Sequence, residues 1–224
     1  MKRSQIQTAI VEARQFIRDC GFKLPMFADW TIDEWKAHKS ELSTIIATMR
    51  GWDITDFGSG DFDKVGAVLF TIRNGVPGTK IGCPYAEKLI IMKEGQELPL
   101  HFHFHKTEDI INRGGARLFI TVYNSLPDES VDYKSDVTYY SDGIAHIVPA
   151  GTAVELKPGC SMTITPYLYH LFSVQGGNVM VGEVSAVNDD NVDNRFAVES
   201  KRFAGIEEDE PIKFPLCNEY EKVL

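Results

Sequence analysis

His101-Phe102-His103-Phe104-His105-Lys106-Thr107-Glu108 sets three imidazoles and a carboxylate within eight residues. Alternating His and Phe is a strand pattern, because successive side chains of a strand face opposite ways. The three histidines then share one face, and Phe102 and Phe104 the other. Two neighbouring imidazoles on one face can grip a single ion. Glu108 has the opposite parity, so it joins them only if a turn or bulge interrupts the strand after His105. The competing reading is a plain strand with polar residues outside and phenylalanines in the core. It is the weaker one, because half of the six histidines in the chain fall within these five positions.

A hairpin rarely surrounds an ion alone, so a further ligand has to come from elsewhere. His170 is the first candidate. It lies in Thr165-Pro166-Tyr167-Leu168-Tyr169-His170-Leu171-Phe172, an aromatic apolar run that reads as a buried strand entered through a proline turn. His146, in a strand-like segment beside a turn, is second. His38 sits in a charged helical stretch and reads as a surface residue.

The 224 residues are enough for one domain with a large core, and 43% hydrophobic with 25% charged residues is ordinary globular composition. A net charge of −9 and the lack of any Lys/Arg cluster exclude nucleic acid and anionic membranes as partners. Cys20, Cys83, Cys160 and Cys217 are far apart and form neither a zinc knuckle nor a dithiol motif, which predicts reduced thiols. No stretch has the apolar length of a membrane span, and the start lacks the apolar core of a signal peptide. The expected location is the cytoplasm.

Two helices are predicted at the start. The first covers 4–20, with Ser4 and Gln7 as a capping box, a stripe of Ile6, Ile10, Ala13 and Ile17, and Gly21 as the stop. The second covers 31–50, opened by Thr31 and Glu34. Gly58-Ser59-Gly60 reads as a linker. Beyond it, strands are expected at 65–72, 88–93, 117–123, 137–140, 144–148, 153–156, 161–165, 170–174 and 179–184. Many short strands separated by turn residues mean an antiparallel sandwich or small barrel. The division is thus a helical extension over 1–60 and a barrel with its tail over 61–224. The acidic run Glu207-Glu208-Asp209-Glu210 is either a solvated loop or the source of an acid or base.

These residues resemble the first motif of the cupins, small antiparallel jelly-roll barrels with a divalent metal in the mouth. Gly95, five residues, His101-Phe102-His103, four residues, Glu108, six residues and Gly115 fit it at every position. The second motif is looser: Gly159, Pro166 and His170 are present, without the usual Gly between Pro and His or the Asn after it. The resemblance implies His101, His103, Glu108 and His170 as ligands of one divalent ion per chain and leaves His105 outside the set. Nearly the whole chain is similar to the D-lyxose isomerase family of cupins. The likeness is carried by the helical start, the histidine segment through Gly115, Gly182-Glu183-Val184-Ser185-Ala186-Val187-Asn188-Asp189-Asp190-Asn191 and Arg202-Phe203-Ala204-Gly205-Ile206-Glu207-Glu208. It implies conversion of D-lyxose to D-xylulose, often with D-mannose to D-fructose, by a manganese-dependent homodimer. Zinc, cobalt and iron also suit three imidazoles and a carboxylate.

Aldose–ketose isomerisation requires an electrophile on the sugar oxygens and a base at C2. Lys106, in the ligand loop, is placed to exchange a proton with a sugar oxygen. Glu207 is the favoured base, with Glu208 and Glu183 as alternatives. Arg113 and Arg117 read as structural or substrate-holding. Two other functions compete: a cupin oxygenase, which would consume O₂, and a sugar-binding module, which would bind without turnover.

Overall fold

The computed structural model describes residues 1–187 and 192–224. The chain opens with helix α1 (Arg3–Asp19), followed by the short helices α2 (Ile32–Ala37) and α3 (Ser43–Ala47). Twelve strands follow: β1 (Gly51–Thr55), β2 (Ala67–Gly75), β3 (Gly82–Met92), β4 (Glu97–His103), β5 (Glu108–Ser125), β6 (Val131–Asp132), β7 (Val137–Ser141), β8 (Ile144–Val148), β9 (Thr152–Leu156), β10 (Ser161–Ile164), β11 (Tyr169–Ala186) and β12 (Asn194–Phe196). A last turn of helix, α4 (Tyr220–Val223), ends the chain.

Hydrogen bonding runs β1-β2-β3-β11-β5-β10-β7-β8, every pair antiparallel, with β4 joining β11 to β12 and β9 flanking β5. Two 18-residue strands close the structure. The first half of β11 pairs with β4 and the far half of β5, and its second half with β3 and the near half of β5. The bend lies at Gly176-Gly177, where the register shifts between Gln175 and Val179. Facing it on β5, Gly115 has φ 87°, and a Cβ there would stand 2.3 Å from the Asn178 carbonyl oxygen. Only glycine fits that crossing. The two strands expected at 170–174 and 179–184 are therefore one bent strand.

Period-two alternation sorts the side chains into two cores. Ala67, Leu69, Ile90 and Met92 point into the barrel with Leu118, Ile120, Phe172 and Val181. Val68, Phe70, Ile72, Leu89 and Ile91 point out, against the stripe Ile6, Ile10, Ala13 and Ile17 of α1. Full burial of each of those isoleucines contributes about 1.5–3 kcal/mol, enough to fix the helix on the sheet.

Several expectations change. Helix α1 starts at Arg3 with Lys2 as cap, and Gln5 rather than Gln7 accepts the cap N–H (2.9 Å). Ser4 and Gln7 instead bond Asp209 and Glu210 of the tail. The Thr31–Glu34 box forms as expected, but its helix ends at Ala37. The chain leaves the helix at His38, makes a tight turn over Lys39–Glu41 and becomes helical again in α3, so the expected single helix is interrupted at 38–42. The stretch after it holds a strand the expectation lacked: β1, all five residues buried, forms the end of the sheet beside β2.

Candidate active site

Strand β4 ends at His103, the chain turns over residues 104–107, and β5 begins at Glu108. That turn cancels the parity difference between Glu108 and the histidines. It is held by Asp193, whose two carboxylate oxygens accept the backbone N–H of His105 (2.8 Å) and of Lys106 (3.1 Å). His170 stands opposite His101 in the β4–β11 register, so a residue distant in sequence meets the cluster by strand pairing.

His101, His103 and His170 are buried, and their ring nitrogens lie within 4.8 Å of one another. Glu108 Oε1 is 3.2 Å from His103 Nε2 and 3.6 Å from His170 Nε2. The Nδ1 of His101 is 2.8 Å from the Pro99 carbonyl, and that of His170 is 3.0 Å from the Leu168 carbonyl. A carbonyl only accepts, so both Nδ1 atoms carry the proton and Nε2 keeps the lone pair. Backbone-anchored imidazoles of this kind are the usual supports of a metal site. His103 differs, since its Nδ1 is buried and has no hydrogen-bond partner among the described residues.

The electrostatics prepare the same donor set. Burial first, and then the neighbouring His170 and His103, hold the His101 imidazolium form well out of reach at neutral pH. Burial pushes His170 down to about 4 against the pull of Glu108. Burial alone would raise Glu108, but Lys106 and the imidazoles outweigh it and hold the carboxyl well below its usual range. Neutral His101 and His170 beside an ionised Glu108 are the protonation state a divalent cation requires, so these residues fit one.

Beyond the cluster lies a buried charge network. Lys106 Nζ is 2.7 Å from Glu108 Oε2 and 3.1 Å from Glu183 Oε1. Lys88 Nζ is 3.5 Å from Glu183 Oε1, because β3 and β11 set Lys88 and Glu183 opposite each other. Ser185 Oγ donates to Glu183 at 3.1 Å. Lys88, Lys106, Glu108 and Glu183 line a cavity of about 50 Å³ whose other walls include Phe57, Leu69, Ile90, Phe172 and Phe196.

The structure does not bring Glu207 or Glu208 to this cavity. Glu207 is exposed, and its backbone pairs with Met1 and Arg3 at the start of α1. The Glu208 carboxylate is bound by Arg3 at 2.7 and 2.8 Å. The acidic run satisfies and charges the first turn of α1. Of the three carboxylates considered as base, Glu183 is the one in the cavity. His105 is exposed, and His146 stacks on Tyr139 at the surface. His38 stacks on Trp30, and Arg113 and Arg117 are exposed on β5. Residues 188–191, part of the segment that carried the family resemblance, lie outside the described residues. Lys88 and Asp193 had no place in the sequence reading. A lysine of inward parity beside Leu89-Ile90-Ile91 was the available signal for the first, and none marked the second.

An antiparallel barrel with three inward histidines and a carboxylate in its mouth is a cupin. The family model described as D-lyxose isomerase matches residues 1–220. D-lyxose/D-mannose isomerases of Serratia proteamaculans and Escherichia coli O157:H7 are each 40% identical over 224 residues, covering 98% of this chain and 98% of each relative. The chain belongs to the D-lyxose isomerase family, and with it to the aldose–ketose isomerases. Among solved structures, an L-ribose isomerase mutant of Acinetobacter sp. DL28 in complex with L-ribose superposes with a TM-score of 0.59 at 14% identity, over 92% of this chain and 98% of that one. The Cellulomonas parahominis L-ribose isomerase with L-ribose gives 0.57 at 18% identity, with 92% and 98% covered. At such identities the likeness is one of fold.

Proposed function

We propose that the protein interconverts D-lyxose and D-xylulose, and D-mannose and D-fructose, with one divalent metal ion per chain held by His101, His103, Glu108 and His170. Manganese is the ion put first; zinc, cobalt and iron satisfy the same donors. When bound, the ion supplies Lewis-acid stabilisation of the negative charge that develops on the sugar oxygens. Glu183 takes the proton from C2 of the aldose, which leaves an enediol, and returns it to C1 of the ketose. Lys106, between Glu108 and Glu183, gives a proton to O1 and recovers one from O2. The apolar walls exclude bulk water, so the carboxylate keeps the proton it has taken. A homodimer in the cytoplasm completes the proposal. Family resemblance is the support for the dimer, and the wide spacing of the four cysteines in the sequence that for a reducing compartment.

The observation that carries this reading is the placement of Glu183 and Lys106 in one cavity with the histidine cluster. Metal-loaded protein given D-lyxose or D-mannose should form ketose without consuming O₂. Glu183→Gln should then lower kcat by about 10²-fold or more with full metal content, while Glu207→Gln stays near the parent value. The opposite pattern would return the base to Glu207.

A further inference from the structure

The cavity at the histidine cluster, about 50 Å³, is the smaller of two that share walls. Beside it lies a second cavity of about 210 Å³, and Lys88 and Arg202 belong to the walls of both. The floor is continuous across the sheet, since Thr71 of β2 pairs directly with Lys88 of β3. Asp53 of β1 and Asn74 at the far end of β2 line the larger cavity too, with Met49 and Phe203 as apolar cover.

We propose that this larger chamber is a second compartment of the substrate site, which takes the hydroxylated carbons remote from the reacting end and sets the preference between six-carbon and five-carbon aldoses. The inference rests on the isomerase reading above and names the substrate contacts that reading leaves open. The walls offer a carboxylate, an amide, a hydroxyl, an ammonium and a guanidinium, a mixture of donors and acceptors suited to a polyol. Each cation is already matched by a buried anion. Arg202 Nη2 donates to Asp53 Oδ2 at 2.7 Å, and Lys88 faces Glu183 at 3.5 Å. The chamber therefore carries no surplus positive charge for a phosphate, and its occupant is the unphosphorylated sugar chain. Thr71 lines the larger chamber and not the cavity at the histidine cluster, so a change there alters room without altering the donor set.

Two variants change that room in opposite directions. Thr71→Met shrinks the chamber, and Thr71→Ala enlarges it. A single methylene in a fitted pocket shifts discrimination by about 10-fold or more. In Thr71→Met the kcat/KM for D-mannose should fall at least about tenfold further than that for D-lyxose, through KM. In Thr71→Ala the ratio should move toward D-mannose. Metal content and kcat for each sugar complete the measurement, because general damage to the fold would move both sugars in the same sense in both variants. Ratios that stay within about twofold of the parent, or that shift alike in the two variants, would overturn the compartment while leaving the isomerase intact. A parent protein that turned over neither sugar would instead remove the isomerase reading. Faster turnover of D-mannose 6-phosphate than of D-mannose would refute the neutral character assigned to the chamber.

Discussion

Lys106→Met tests the charge network in the mouth of the barrel. The ammonium is 4% exposed and touches two carboxylates, Glu108 at 2.7 Å and Glu183 at 3.1 Å. Methionine keeps the length and apolar stem but leaves both anions without it. Lys88, 3.5 Å from Glu183, still answers one of them. Removing one partner from a buried ion pair costs about 3–5 kcal/mol. For a chain of this size that is a fall in Tm of roughly 6–20 °C, at about 2–4 °C per kcal/mol. The fall belongs to protein stripped of metal with EDTA. With metal restored, the cation answers Glu108, so the gap between variant and parent should narrow by several degrees. Loss of the proton exchange at the sugar oxygens should lower kcat by about 10²-fold in the loaded variant. Scanning calorimetry with and without EDTA, followed by a ketose assay on the loaded protein, reads all three. A stripped variant that melts within about 2 °C of the parent and turns over at the parent rate would refute the reasoning.

The remaining expectations concern the ligands, their support and the opposite end of the chain. His103→Ala should lose metal and activity together, and His105→Ala, altering an exposed side chain, should keep both; metal analysis of the two purified variants decides whether the ligand register is right. Asp193→Ala frees the backbone N–H groups of His105 and Lys106 and should weaken metal affinity by about 10–100-fold, measured by chelator competition, and unaltered affinity would mean that the turn holds itself. At the N-terminus, Arg3 is fully buried against Glu219 at 2.6 Å; burial works to raise the Glu219 carboxyl, and Arg3 and Lys222 outweigh it and hold it low. A depressed carboxylate contributes stability that is complete above its unfolded value of about 4.3 and lost as pH falls through the lower folded one. Glu219→Gln should therefore be less stable than the parent near pH 7, the gap closing in acid; a gap independent of pH in urea titrations would show that the charge is not what matters.

What the sequence made legible was local. The alternation of His and Phe, the stripe on α1 and the Thr31–Glu34 box are periodicities of one segment, and they survive in the fold, the alternation only as far as His103, where the strand ends and leaves His105 exposed in the turn. Elsewhere tertiary contacts decided. Ser4 and Gln7 have the spacing of a capping box, yet Asp209 and Glu210 give them better partners than each other. The single helix expected over 31–50 is interrupted at 38–42, and the segment buries Trp35 and Leu42 against Cys217 and Tyr220. Strand β1 escaped notice because a strand buried on both faces shows no alternation.

Of the candidate bases, Glu183 was the least conspicuous in the sequence, for a related reason. Adjacent carboxylates in an acidic tail look available, whereas a glutamate inside Val181-Gly182-Glu183-Val184 looks like an ordinary strand residue. Register decides the matter. The β3–β11 pairing sets Glu183 against Lys88, and the β5–β11 pairing brings Glu108 alongside, so with Lys106 of the β4–β5 turn four charged side chains face one cavity. None of them would tolerate burial alone, since an unpaired buried charge costs several kcal/mol. Two ammoniums against two carboxylates make the group nearly neutral, and that balance lets a polar pocket persist inside an otherwise apolar barrel. Inward parity at Lys88 and Glu183 is written in the chain. Their opposition follows from a strand pairing that spans nearly a hundred residues, and only the closed barrel supplies it.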